Sequence, residues 1–146
     1  MTLDGRYDVN NVFAKILRRE ARVASVYEDG DVLAFMDLFP QSTGHILVIS
    51  RLSTARNILE ADVHVLAKLI AVVQKMTRAV RAALRPDGVI VTQFNGEAAG
   101  QTVYHLHFHV IPCWEGIALK GHGRAEMADF EQLRALAGQI AEHVDI

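Results

Sequence analysis

Three histidines alternate with apolar residues in GQTVYHLHFHVIP, residues 100–112, where Leu106 and Phe108 separate His105, His107 and His109. On a β-strand, alternate side chains point the same way. The spacing therefore predicts His105, His107 and His109 on one face and Leu106, Phe108 and Val110 on the other, with successive histidine Cα atoms about 6.6 Å apart. The apolar set can pack on a helix layer, leaving the imidazoles as a row on the open face. A lone histidine is ordinarily a surface or satisfied core residue, but three in strict alternation repel when charged and add little to packing. Two chemistries use such a row. Neutral imidazoles can coordinate a divalent metal, with a further His, Asp or Glu from elsewhere. Alternatively, the central imidazole can attack phosphorus in phosphoryl or nucleotidyl transfer while its neighbours and backbone N–H groups hold the negative oxygens.

The elements that must position this row read as α+β. Residues 10–20 (NNVFAKILRRE) place Val12, Phe13, Ile16 and Leu17 at helical spacing, with basic residues complementing the dipole in the last turn. Residues 22–28 and 31–38 flank Asp29-Gly30, and the readiness of that dipeptide for positive φ predicts an antiparallel hairpin. Pro40 stops the second strand, and residues 45–50 (HILVIS) supply a third. From Asp62 the period becomes helical, with Val63, Leu66, Ile70, Val73, Met76, Val80 and Leu84 on one stripe. This long helix ends before Arg85-Pro86-Asp87-Gly88, where glycine can take the reversed turn. Residues 89–94 (VIVTQF) read as a buried strand, residues 103–111 as the last strand and residues 115–124 as a loop. Asp129 can cap a closing helix carrying Phe130, Leu133, Leu136, Ile140 and Val144. The sum is a five-stranded antiparallel sheet with a short N-terminal, a long central and a C-terminal helix, unlike a βαβ dinucleotide fold.

Composition narrows the function class. The 146 residues are 51% hydrophobic and 22% charged, which suits one domain over 1–146, with residues 113–146 as a C-terminal extension. A single cysteine, Cys113, cannot form an internal disulfide, and MTLDGRYDVN has neither a basic n-region nor an apolar h-region. The cytoplasm is the expected compartment. Apolar stretches such as residues 67–73 are interrupted by lysines far short of the roughly 20 residues a membrane span requires. Fifteen Lys+Arg against 17 Asp+Glu give a net charge of -2, which provides no broad basic surface for long nucleic acid but permits a small anionic ligand.

The motif His105-Leu106-His107-Phe108-His109-Val110-Ile111 resembles, at every position, the H-φ-H-φ-H-φ-φ signature of the histidine-triad nucleotide hydrolases and transferases, where φ is apolar. The resemblance extends over Phe13-Ala14-Lys15-Ile16, LAFMD at 33–37, Pro40-Gln41, GHILVI at 44–49 and residues 95–112, almost the whole chain to Pro112. It implies a two-fold dimer that cleaves at the α-phosphate of purine nucleoside 5′-phosphoramidates or related conjugates, without a metal or other cofactor, and releases nucleoside monophosphate.

By resemblance, His107 is the nucleophile. It needs a neutral ring, its tautomer fixed by the His105 backbone carbonyl. His109, Gln101 and Thr102 would face the phosphate oxygens and leaving group, with Gln101 donating to phosphate and Thr102 passing a proton to the departing atom. Gly100 would allow close backbone approach, Asn95 matches a phosphate-side polar position, and His45 is the remaining histidine of the site. Asp37 matches the carboxylate that accepts both ribose hydroxyls, and Val12, Phe13, Ile16, Phe35 and Leu38 match the apolar walls around the base. Asn11 and Ala14 stand where many bacterial relatives carry a zinc-binding Cys-x-x-Cys, so that zinc site is not expected. His-Leu-His in a short chain points away from the nucleotide-transferring branch. Beyond Pro112 the match weakens, and the loop around Lys120, His122 and Arg124 either shapes leaving-group choice or is simply surface. The rivals are a dinucleoside polyphosphate hydrolase, a nucleotide-binding module with little turnover, and an H-x-H metal site.

Overall fold

The computed structural model describes residues 2–145. Helix α1 (Val12–Leu17) is followed by strands β1 (Ser25–Glu28), β2 (Val32–Met36) and β3 (Ile46–Ser50). Then come the long helix α2 (Val63–Leu84), strand β4 (Gly88–Thr92), a 3-10 turn at Glu97–Ala99, strand β5 (His107–Cys113) and helix α3 (Phe130–Ala141). The strands form one sheet in the order β1-β2-β3-β5-β4, and every neighbouring pair is antiparallel. The expected class, five-stranded antiparallel sheet and three helices are all present. No helix among the described residues is long and apolar enough to cross a membrane.

Alternation along β2 and β3 explains why both faces of the sheet are covered. Val32, Ala34, Met36, Ile46 and Val48 point to a core shared with Leu69, Val73, Met76 and Val80 of α2 and with Leu133 and Ile140 of α3. The intervening Leu33, Phe35, Leu47 and Ile49 point the other way, onto Phe13 of α1. The pairings Leu47↔His109 and Ile49↔His107 set His107 and His109 on this second face, while Leu106 and Val110 join the helix side. Asn11 caps α1, its Oδ1 accepting from the Phe13 and Ala14 N–H groups.

Several local expectations change. The histidine row is neither fully on a strand nor open. β5 begins only at His107, the Leu106 N–H is diverted to the Ala55 carbonyl, and His105, His107 and His109 are 1%, 7% and 3% exposed. The buried stripe of α2 runs through Leu69, Val72 and Met76, which leaves Val63 and Ile70 exposed. β4 is an edge strand with Ile90 and Val91 exposed, so its apolar run marks an uncovered margin rather than a buried strand. Gly30 does not adopt positive φ. Instead the Asp29 carboxylate accepts from the Asp31 and Val32 N–H groups and closes the hairpin turn. At the end of α2 it is Arg85, at φ 54°, that turns left-handed, rather than Gly88.

Candidate active site

On the α1 side of the sheet lies a cavity of about 630 Å³ lined by Val12, Phe13, Ile16, Phe35, Asp37, Leu38, Thr102, His107, His109 and His122. A cavity of similar size between the 40–44 loop and α3 has neither histidine nor carboxylate in its lining, so the titratable side chains gather at the first. Phe13 stands edge-on to His107, with ring centroids 4.9 Å apart. Asn95, Gly100 and Gln101 do not line the cavity, and His45 and His105 stand behind it.

Each imidazole has a tautomer dictated by its partners. His107 Nδ1 lies 2.7 Å from the His105 carbonyl, which can only accept, so Nδ1 carries the proton and the Nε2 lone pair is free. His105 is fixed from both ends: Nε2–H donates to the Ser50 carbonyl at 3.2 Å, and Nδ1 accepts from the Tyr7 hydroxyl at 2.7 Å. A third chain starts from the main chain. The Gln41 backbone N–H donates to His45 Nδ1 at 3.1 Å, which places the His45 proton on Nε2. That proton is directed to His109 Nδ1 at 2.9 Å, so the His109 proton sits on Nε2. His109 Nε2 is buried and has no hydrogen-bond partner among the described residues. The relay therefore ends in an unused donor on a ring that lines the cavity.

Burial keeps these rings neutral. It pushes His107 down to about 4 against the pull of the His105 carbonyl, and pushes His45 to about 3 and His109 to about 2, with neighbouring histidines adding to both shifts. Burial likewise lifts Asp37 to about 6, although the Phe39 N–H and His122 favour its charged form. The 3.4 Å approach of His45 Nε2 to Asp37 Oδ2 is thus made by a neutral ring.

A metal does not fit this donor set. Asp37, His45 and His109 bring one ligand atom each within 4.8 Å of one another, but a neutral histidine ligates through one nitrogen while the other holds its proton. The Gln41 N–H occupies the His45 Nδ1 lone pair, so the proton sits on Nε2, the atom that would have to face the ion. Asn11 is a helix cap and Ala14 is buried, so neither offers a ligand atom.

Two polar expectations change beneath the cavity. Both amide hydrogens of Gln101 are given to carbonyls, those of Arg56 and Val103, and its Oε1 accepts from the Gly96 N–H, so this side chain braces the loop beneath the cavity. Asn95 is likewise spent on the Ile58 N–H and the Gln93 amide. Gly100, at φ 102°, needs its freedom to turn its carbonyl toward His122 Nε2, 2.7 Å away. His122 packs its ring against Phe94 and His109, and the segment carrying it is clipped down by Lys120 N–H on the Gln41 carbonyl and Ala128 N–H on the Leu38 carbonyl. The C-terminal loop is therefore part of the site wall. Tyr7 and Arg22 also escape sequence reasoning, because their contacts join distant segments.

The family model described as the HIT domain matches residues 18–115. A solved structure of a Hit-like protein involved in cell-cycle regulation from Bartonella henselae is 47% identical, covers 95% of this chain and 100% of that one, and superimposes with a TM-score of 0.87. A hypothetical histidine triad nucleotide-binding protein from Sulfolobus tokodaii is 36% identical, with 90% and 89% of the two chains covered and a TM-score of 0.81. The adenylylsulfatase HINT3 of Arabidopsis thaliana is 33% identical over 117 residues, 76% of this chain and 59% of that protein. With its buried histidines on an antiparallel sheet and this match over most of its length, the chain belongs to the HIT domain family.

Proposed function

We propose that this protein is a nucleotide hydrolase that cleaves purine nucleoside 5′-phosphoramidates, or related nucleotide conjugates, at the α-phosphate and releases the nucleoside monophosphate. The observation that carries this reading is the His107 ring: Nδ1–H held by the His105 carbonyl and Nε2 unprotonated at a cavity wall. Nε2 attacks the α-phosphorus and the bond from phosphorus to the leaving nitrogen breaks. The Thr102 hydroxyl, at the exposed lip, passes that nitrogen a proton and takes one from solvent in its place. The ring becomes a nucleotidyl-imidazolium whose positive charge is stabilised by the carbonyl already bound to Nδ1–H. Water then attacks phosphorus, loses a proton to solvent, and returns the lone pair to Nε2. The unused His109 Nε2–H donates to a phosphate oxygen in both steps. Asp37 accepts the ribose hydroxyls, and Phe13, Ile16 and Phe35 enclose the base. The name of the Arabidopsis relative, an adenylylsulfatase, supports chemistry at an α-phosphate bearing a different leaving group.

The test is release of monophosphate from a purine nucleoside 5′-phosphoramidate with EDTA present. Wild type should turn over. His107→Ala should lose at least 10³-fold in rate, the order expected on removal of a nucleophile, while keeping its fold and nucleotide affinity. No turnover by wild type, or a fully active His107→Ala, overturns the proposal.

A further inference from the structure

The far end of the cavity carries a cation that the proposed chemistry does not use. Arg22 lines it, and its guanidinium lies over Phe130, the first residue of α3, with Cζ 3.8 Å from the ring centroid. No hydrogen bond or ion pair engages this guanidinium among the described residues. Stacking on an aromatic face fixes the plane of the fork and leaves its N–H edge to donate.

The sheet says where this edge lies. Arg22 stands just before β1, where the Met36 N–H on the Ala24 carbonyl holds the segment against the end of β2, and Arg22, Asp37 and Leu38 all line the cavity. The Ala128 N–H on the Leu38 carbonyl brings the start of α3 to the same place. His107 lies on β5, with β3 and β2 between it and β1, a main-chain separation of about 14 Å at three strand spacings. Phosphate at His107 and ribose at Asp37 would leave the base to the part of this cavity that Arg22 lines. The walls in between, Phe13, Ile16 and Phe35, are apolar and do not distinguish one purine from another. A guanidinium does. Guanine presents O6 and N7 as two adjacent acceptors, whereas adenine presents N7 beside an amino donor that meets another donor.

We infer that Arg22, held over the Phe130 ring, reads the O6/N7 edge of the base and makes this site prefer guanine over adenine. The inference rests on the nucleotide-hydrolase reading above, and binding separates the two. Calorimetric titration of the protein with GMP, IMP and AMP should give GMP and IMP similar affinities, each on the order of tenfold tighter than AMP. Arg22→Met should bring GMP and IMP to the AMP level while leaving AMP unchanged, which also reports an intact pocket. Arg22→Lys should do the same, because it keeps the charge and loses the fork. Equal binding of the three nucleotides by wild type overturns the inference and leaves the hydrolase reading standing. Equal weakening of all three in both variants also overturns it, by making Arg22 a phosphate contact. If none of the three nucleotides binds, the nucleotide-site reading falls, and this inference with it.

Discussion

Neutrality at His107, His109 and His45 comes from burial, but the direction in which each ring points its proton comes from a single neighbour. The His105 carbonyl sets His107, and the Gln41 N–H sets His45 and, through it, His109. Burial raises Asp37 to about 6, so its charge changes near neutral pH. Its proposed ribose contact needs the acceptor-only carboxylate, so affinity for a nucleoside, which carries no titrating phosphate, should fall as pH drops through about 6. Asp37→Asn should bind several-fold more weakly at pH 7.5 and show no such dependence; a wild-type affinity flat from pH 8 to 5 would remove Asp37 from the ribose. At this scale the sequence was readable where spacing decides which face a side chain takes, as with His107 and His109. The alternating histidines and GHILVI led to His107, His109 and His45. It was not readable where a side chain's hydrogen bonds are spent on distant backbone, as with Gln101, or where a partner lies 98 or 81 residues away, as with Tyr7 and His105 or Gln41 and His122.

Helix α1 is the element on which the site depends most for its size. Only Val12–Leu17 are helical, too short to persist without packing and a cap. Asn11 satisfies two of its N-terminal N–H groups, and Phe13 docks on His107 and Phe35. Asn11→Ala should cost about 1 kcal/mol in chemical denaturation. Because α1 forms one wall of the cavity, the same substitution should weaken nucleotide binding more than a cap of equal worth placed elsewhere, such as Asp129 on α3. Equal effects from the two caps would mean that α1 stays docked without its own. The helical spacing of residues 10–20 revealed this element but overran it at both ends, since propensity does not report where tertiary contact stops. The β4 error has the same root: an apolar run reads alike in the middle of a sheet and at its margin.

For the molecule as a whole, several buried neutral histidines make stability depend on acid. His45, His107 and His109 ordinarily titrate near 6.5 and in the fold do so near 3, 4 and 2. Between those values the unfolded chain takes up protons that the native state refuses, so their stabilisation is complete above pH 6.5 and is lost as pH falls toward 4. Asp37, raised from 3.8 to about 6, works in the opposite sense over the lower part of that window. The balance of these four groups is about two protons, and thus about 3 kcal/mol per pH unit near pH 5, and His105, which burial also lowers, adds in the same direction. Thermal unfolding should show a clear drop in Tm between pH 7 and 5; an unchanged Tm would mean that His45, His107 and His109 are charged or exposed.

The proton order of the His45–His109 pair begins at an amide of the main chain, which every residue but one supplies equally. Mutation at position 41 can alter the side chain that touches His122, yet nineteen of the twenty amino acids present the same N–H to His45. The polarity of the relay is in this sense insulated from drift in the gene. Only proline at 41, doubling the existing Pro40, would erase the donor and release both rings to take either tautomer.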